Sequence, residues 1–183
     1  MPLRDAIQAR RSERQFSDRK FRLDDPADLQ LLSDLLWTGY GFITSKRRSA
    51  PSSHNWQSVE LYLLLPEGVY VYDAAGNRLV WHSDEDLRAA SGEQEYPATA
   101  PLNIALVAEK TKITGKTPEG VMETIFTDSG FICQNFYLFC TSEGLATVTR
   151  AWIDRPRLAA LLGLSPTQHV TLIQTIGWKA EEK

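Results

Sequence analysis

The chain has 183 residues, 43% of them apolar, which suffices for one domain, spanning 1–183, with a core of its own. Its 20 lysines and arginines stand against 23 aspartates and glutamates, and the net charge of -3 gives no general electrostatic reason to expect nucleic acid. No apolar run approaches the ~18 residues needed to cross a bilayer, and Met1-Pro2-Leu3 leads into charged helix without an export signal. The expected compartment is the cytoplasm, with an exported mature form stripped of its signal as the alternative.

In chain order, Leu3, Ala6 and Ile7 share one face of a short first helix that runs into Arg10-Arg11-Ser12-Glu13-Arg14. Three arginines and a serine within five residues can present forked donors and a hydroxyl to one phosphate ester. The same residues also suit a solvated basic helix end, where cations offset exposed carbonyls. Asp24 or Asp25 can cap a second helix, Pro26 fits its first turn, and Leu29, Leu32, Leu36 and Trp37 supply the apolar spacing before Gly39 and Gly41 end it. A polar loop follows from Ile43 to Ser53.

From Val59 the period changes. Val59 to Leu65 reads as a largely buried strand, Val69 to Tyr72 as a second, and Asp73 to Asn77 as a turn into Arg78-Leu79-Val80-Trp81, an antiparallel meander. A short helix around Asp84 to Ala90 and a strand from Asn103 to Ala108 complete the first half. Pro118 to Glu143 is the longest helical pattern, apolar on nearly every face and therefore expected to be buried all round, with Gly130 placed to let another backbone approach. Gly144 stops it. Leu145 to Thr149 reads as extended, Asp154 with Pro156 caps a last helix through Leu162, and His169 to Ile176 is a final strand.

Several residues invite chemistry. Pro51-Ser52-Ser53-His54-Asn55-Trp56-Gln57 offers neutral donors and acceptors of the kind that read a heteroaromatic edge, or a turn with an Asx-type bond to itself. His54 is a candidate substrate contact, although no Ser/His/Asp or Cys/His arrangement can be assembled around it. His82 and His169 lack metal-ligand spacing, so no metal site is expected. Cys133 and Cys140, two helical turns apart, are too distant to bond to each other and are expected to pack as small apolar groups. Glu123 and Asp128 do not align on one helix face and read as structural. Gly39-Tyr40-Gly41 does not continue as G-x-G-x-x-G, and a Walker-type loop is absent, so a phosphate-bearing cofactor must be held by side chains.

Taken in order, Ala9-Arg10-Arg11-Ser12-Glu13-Arg14-Gln15-Phe16, the Pro51 to Gln57 element and Phe126-Thr127-Asp128-Ser129-Gly130 through Gln134-Asn135 to Glu143-Gly144-Leu145-Ala146 resemble the nitroreductase family of FMN-dependent oxidoreductases, including its SagB-type dehydrogenase branch. The resemblance runs from Leu3 to Lys179. It implies an α+β, nitroreductase-like fold, a mixed and mainly antiparallel sheet flanked by helices, with the long central helix at a homodimer interface. By similarity Arg10, Arg11, Ser12 and Arg14 would hold the FMN phosphate and reach the pyrimidine edge. Ser52, Ser53, Asn55 and Gln57 would line the same cofactor from the second subunit or the opposite wall. Thr147 and Val148, within Ala146 to Thr149, would approach the flavin near N5, and Lys179 would help neutralise phosphate. Arg150 and Trp152 are candidate contacts for an anionic or aromatic substrate. Two features depart from the pattern: Gly177-Trp178-Lys179 stands where many relatives have Gly-x-Pro, and the chain is short for the family.

The implied activity is hydride transfer from NADH or NADPH through flavin N5 to a small organic acceptor such as a nitroaromatic or quinone. The flavin carries the chemistry, so no catalytic side chain is named, and Arg10 is the expected cation beside the reduced ring. The alternatives are a flavin dehydrogenase oxidising a small molecule or peptide heterocycle, and a non-catalytic flavin-binding or sensory protein. Neither nucleic acid nor membrane is an expected partner.

Overall fold

Helix α1 (Leu3–Ala9) buries only Ala6, while Leu3 and Ile7 on the same face stay 64% and 56% exposed. The computed structural model describes residues 1–180, and nothing within them covers that face beyond Ala6. Helix α2 (Pro26–Tyr40) starts as its sequence requires: Asp25 Oδ1 accepts from the Ala27 N–H at 2.9 Å, and Pro26 occupies the first turn, where no backbone donor is needed. It ends at Gly41 alone. Gly39, expected to help end it, lies inside the helix, and its bare Cα makes room for a neighbour: a Cβ there would sit 2.5 Å from Phe136 Cζ. The polar loop after α2 is partly ordered as a two-stranded hairpin, β1 (Phe42–Thr44) with β2 (Arg47–Arg48).

The main sheet is built from β3 (Val59–Leu65), β4 (Gly68–Asp73), β5 (Arg78–Ser83), β6 (Leu102–Glu109), β7 (Leu145–Arg150) and β8 (Gln168–Trp178). Its strands lie in the order β5-β4-β3-β6-β8-β7, and each of these pairings is antiparallel. The expected helix near Asp84 to Ala90 is instead a 3-10 turn at Arg88–Ser91, followed by another at Tyr96–Ala98. Pro97 inside that second turn suits a short, irregular path better than a continuing helix.

Two apolar layers share this sheet. Along β3, Leu61, Leu63 and Leu65 join the cluster containing α2 and α3 (Pro118–Ser142). Tyr62 and Leu64 point the other way, toward Leu158 of α4 (Arg155–Leu161). Since successive strand residues face opposite sides, a strand covered on both is apolar at nearly every position, and β3 and β6 are.

Helix α3 begins with Thr117 Oγ1 accepting from the Gly120 N–H at 3.2 Å. It turns Ile125, Ile132, Phe136 and Cys140 inward. It is not buried all round: Glu123, Thr127, Gly130, Phe131 and Gln134 form an exposed stripe along its opposite side, and a Cβ on Gly130 would meet no atom within 4 Å. The close backbone approach expected at Gly130 does not occur within one chain. The glycine that admits a close neighbour is Gly39, where α2 crosses α3 and the Phe136 ring packs onto its bare Cα.

Candidate functional site

After α1 the chain becomes an extended arm laid along the free edge of β7. An edge strand leaves alternate backbone groups unpaired, and the arm and α3 take up two of them. The Glu13 N–H donates to the Thr147 carbonyl at 2.9 Å, and the Thr149 N–H donates to the Tyr137 hydroxyl at 2.9 Å. That hydroxyl also lies 2.9 Å from Ser12 Oγ, and the Arg10 guanidinium carbon sits 5.1 Å from the centre of the Tyr137 ring. Arm, long helix and edge strand therefore meet at one phenol oxygen. Tyr137 was not singled out by the sequence, where it is one aromatic among many on α3.

The arm continues antiparallel to the end of β8, with the Ser17 N–H donating to the Trp178 carbonyl at 3.0 Å and Phe16 bridging to Lys179. Lys179 is thus brought beside Arg14. Both line a cleft of about 740 Å³ together with Phe16, Tyr96 and Thr99. Arg11, Glu13, Thr147 and Lys179 meet in a smaller one of about 110 Å³. Arg11 also takes the bland role open to this cluster, donating to the Gln8 and Arg10 carbonyls at 3.0 Å each as the helix ends. Glu13 and Asp18 line the larger cleft as well, so its anion-binding donors are the exposed Arg14 and Lys179, with Arg11 and the Ser12 hydroxyl beside it on the arm, a set that fits a phosphate ester on a larger planar group.

The Ser52 to Gln57 element lies elsewhere. Asp128, 2% exposed on α3, accepts from the Ser53 N–H at 3.0 and 3.2 Å and so fastens this loop to the helix. Burial pushes the Asp128 carboxyl above its ordinary range, opposed by the Ser53 bond and by Lys116. Asp128 and Tyr137 are nine positions apart, which is about 13.5 Å along a helix and half a turn around it. The loop and the arginine arm consequently occupy opposite sides of α3 within one chain.

Within that loop His54, Asn55 and Gln57 all have positive φ, of 49°, 56° and 49°. Such a run of non-glycine residues in the left-handed region is strained, and strain of this kind gathers at binding sites. Internal bonds hold it. Asn55 Nδ2 and Gln57 Nε2 both donate to the Lys46 carbonyl, at 3.0 and 2.8 Å, Arg48 Nε donates to Gln57 Oε1 at 3.2 Å, and the Gln57 N–H donates to Ser52 Oγ at 3.1 Å. The exposed His54 ring lies 4.7 Å from that of Trp56.

Of the remaining candidates, Trp152 is 66% exposed, with its carbonyl accepting from the Glu93 N–H at 3.4 Å. Arg150 is not available to a substrate: it is 4% exposed and its guanidinium turns into the molecule. Thr147 is buried, its hydroxyl bonded to the Thr175 carbonyl at 2.8 Å and accepting from Gln174 Nε2 at 2.6 Å, and Val148 is buried beside it. These two can meet a ligand through backbone only. Cys133 and Cys140 are free and buried, with burial raising both thiols, Cys133 to about 12. Among the described residues no cluster of His, Cys, Asp or Glu could hold a metal ion, and no helix is long and apolar enough to cross a membrane.

Comparison with known proteins identifies the family and the fold. A protein of Methanocaldococcus jannaschii assigned to the nitroreductases is 27% identical over 191 residues, covering 98% of this chain and 92% of its own. A crystal structure from Ralstonia eutropha JMP134, assigned likewise, is 32% identical with a TM-score of 0.90, covering 100% of this chain and 85% of that one. A chain of the Escherichia coli microcin synthetase McbBCD complex, solved with truncated pro-MccB17 bound, shares the fold at 18% identity and a TM-score of 0.77, over 91% of this chain and 68% of that one. The family model described as the nitroreductase family matches residues 7–178. The chain belongs to the nitroreductase family and has the fold of its oxidoreductases.

Proposed function

We propose that this protein is an FMN-dependent oxidoreductase that takes electrons from NADH or NADPH and passes them to a small organic acceptor, a nitroaromatic or quinone in character, as a cytoplasmic homodimer of one-domain subunits. The observation carrying this reading is the split arrangement around α3. Arg10, Ser12, Arg14 and Lys179 gather with the β7 edge on one side, while the strained Ser52 to Gln57 loop is held on the other. A second copy related by a two-fold axis, packed on the exposed α3 stripe and on Leu3 and Ile7, brings its loop to this chain's arginine arm. The same packing covers Leu3, Ile7 and Phe131, apolar side chains that a single chain leaves in water.

When bound, FMN supplies hydride transfer through N5. Arg10, Arg11, Ser12, Arg14 and Lys179 hold the phosphate and the pyrimidine edge through charge-assisted bonds, and the backbone beside Thr147 and Val148 faces the ring system. Ser52, Ser53, Asn55 and Gln57 of the second copy close the opposite wall. Trp152 and His54, both exposed, are the side chains open to substrate.

The test is the visible spectrum of the purified protein, then anaerobic addition of NADH or NADPH and sedimentation of the holoprotein. A yellow dimer, bleached by the nucleotide and recovering with quinone or nitroaromatic, is expected. Protein that stays colourless after incubation with FMN would overturn the assignment, and flavin that no nicotinamide bleaches would leave a binding or sensory role. A second reading, oxidation of a small molecule or peptide heterocycle, rests on the resemblance of the sequence motifs to the SagB-type branch. Bleaching by a heterocycle precursor, with none by NADH or NADPH, would select it.

A further inference from the structure

Arg150 ends β7 and is 4% exposed. Its donors go to uncharged acceptors: Nε to Thr175 Oγ1 at 2.8 Å, Nη1 to the Ser91 carbonyl at 2.8 Å, and Nη2 to Ser91 Oγ and Asn103 Oδ1 at 3.0 Å each. Among the described residues no carboxylate forms an ion pair with it. Desolvation lowers its pKa to about 10, so it remains a cation at neutral pH. A buried charge without a counterion costs several kcal/mol even when well hydrogen-bonded, which makes it a poor device for stability and a marker of sites that need a charge.

Two further observations tie this cation to the cleft. Its guanidinium carbon lies 5.9 Å from the centre of the Tyr96 ring, and Tyr96 lines the cleft together with Arg14 and Lys179. Gly92 makes room for it, since a Cβ there would collide with Arg150 Nη1 and stand 3.2 Å from Gln94 Oε1, a buried oxygen without a hydrogen-bond partner. Charge, bare oxygen and glycine thus collect behind the cleft wall, next to the exposed Ala151 and Trp152. Arg10, by contrast, lies at the arm against Tyr137.

Resting on the function proposed above, we propose that Arg150 is a positioning residue acting electrostatically: its buried positive charge favours the electron-rich, reduced form of the bound flavin over the oxidised form. Arg10 and the rest of the arm hold the phosphate and the pyrimidine edge, whereas Arg150 lies two residues beyond Val148 on β7, the strand whose backbone faces the ring system in that reading, and poises the ring from there. The field of a buried cation is weakly screened, so the preference persists at high salt. The competing role is mechanical, with the fork merely pinning the Ser91 to Tyr96 segment to the sheet.

The experiment compares holoprotein carrying Arg150→Met or Ser91→Ala with wild type, measuring the midpoint potential of bound FMN against a reference dye under anaerobic conditions, together with FMN affinity. Arg150→Met removes the charge; Ser91→Ala loosens the pin and keeps it. Arg150→Met should weaken binding of reduced relative to oxidised flavin about tenfold or more, a drop of about 30 mV for a two-electron couple, and Ser91→Ala should leave the ratio unchanged. An unmoved potential in Arg150→Met, or an equal shift in Ser91→Ala, would overturn the assignment. Should Arg150→Met fail to fold, the wild type still decides: its bound flavin must have a midpoint above that of free FMN, and a value at or below it refutes the proposal. Protein that takes up no flavin overturns the function proposed above as well, whereas flavin retained with an unshifted potential overturns this assignment alone.

Discussion

Gly39→Ala sets two effects of known size against each other where α2 crosses α3. Replacing a helical glycine by alanine gains about 1 kcal/mol of intrinsic helix propensity. Against this, the new methyl would stand 2.5 Å from Phe136 Cζ and 2.8 Å from Cδ1, and Phe136 is fully buried. The helices cannot simply part, because Asn135 Nδ2 ties α3 to the Thr38 and Gly39 carbonyls at 3.2 and 3.3 Å. Overpacking of this kind costs about 1–3 kcal/mol, and with the ring buried and the helices tied the upper part of that range, about 2–3 kcal/mol, applies here. The clash therefore wins, with a net loss of about 1–2 kcal/mol. In a chain of this length that lowers the melting temperature by roughly 2–8 °C. Thermal and urea unfolding followed by circular dichroism measure it, and a variant as stable as wild type would refute the reasoning. Gly130→Ala is the control, since a Cβ there meets nothing within 4 Å in one chain. As a monomer the variant should gain about 1 kcal/mol. If a second copy packs on that stripe, the same methyl should instead weaken the dimer, seen by sedimentation at falling concentration.

Further predictions follow from the arm, the loop, the buried arginine and the cysteines. Arg14→Ala should weaken FMN retention through loss of a charge-assisted bond worth about 1.5–3 kcal/mol, and unchanged affinity would remove Arg14 from the phosphate site. Asp128→Ala leaves the Ser53 N–H without its acceptor and should cost about 1–3 kcal/mol in unfolding free energy. Asp128→Asn keeps an acceptor oxygen and should cost less. Because burial raises the Asp128 carboxyl above its ordinary 3.8, its stabilising contribution is fully present below that value and is lost as pH rises through the folded one. Wild type should accordingly lose ground to Asp128→Asn over that interval, and a pH-independent difference would contradict the assignment. Gly92→Ala should displace the Arg150 guanidinium, measured as a lower melting temperature, whereas an unaffected melt would show that the fork has room to move. Cys133 and Cys140, buried and held as thiols, should resist a thiol reagent in the native protein and react at once on unfolding.

What was legible in the sequence was local. Asp25 before Pro26, Asp154 before Pro156 and the glycine after Glu143 mark helix ends through bonds that span a few residues. The unbroken apolar run of β3 announces a strand covered on both faces. The ordered arginine, serine and amide motifs pointed to the family that the comparisons then established. The tertiary structure alone decided how these pieces face one another. The Ser12 hydroxyl meets Tyr137 across 125 positions, Asp128 holds Ser53 across 75, and Arg150 reaches Ser91 across 59. Periodicity reports which side of a helix is apolar and is silent on what covers it, so α3 read as buried all round although one side of it stays open in a single chain. A side chain's burial is likewise invisible to spacing: Arg150 and Arg14 are the same residue in sequence, yet strand β7 ends inside the sheet's covered face while the arm lies in water, and that difference in surroundings gives them different work.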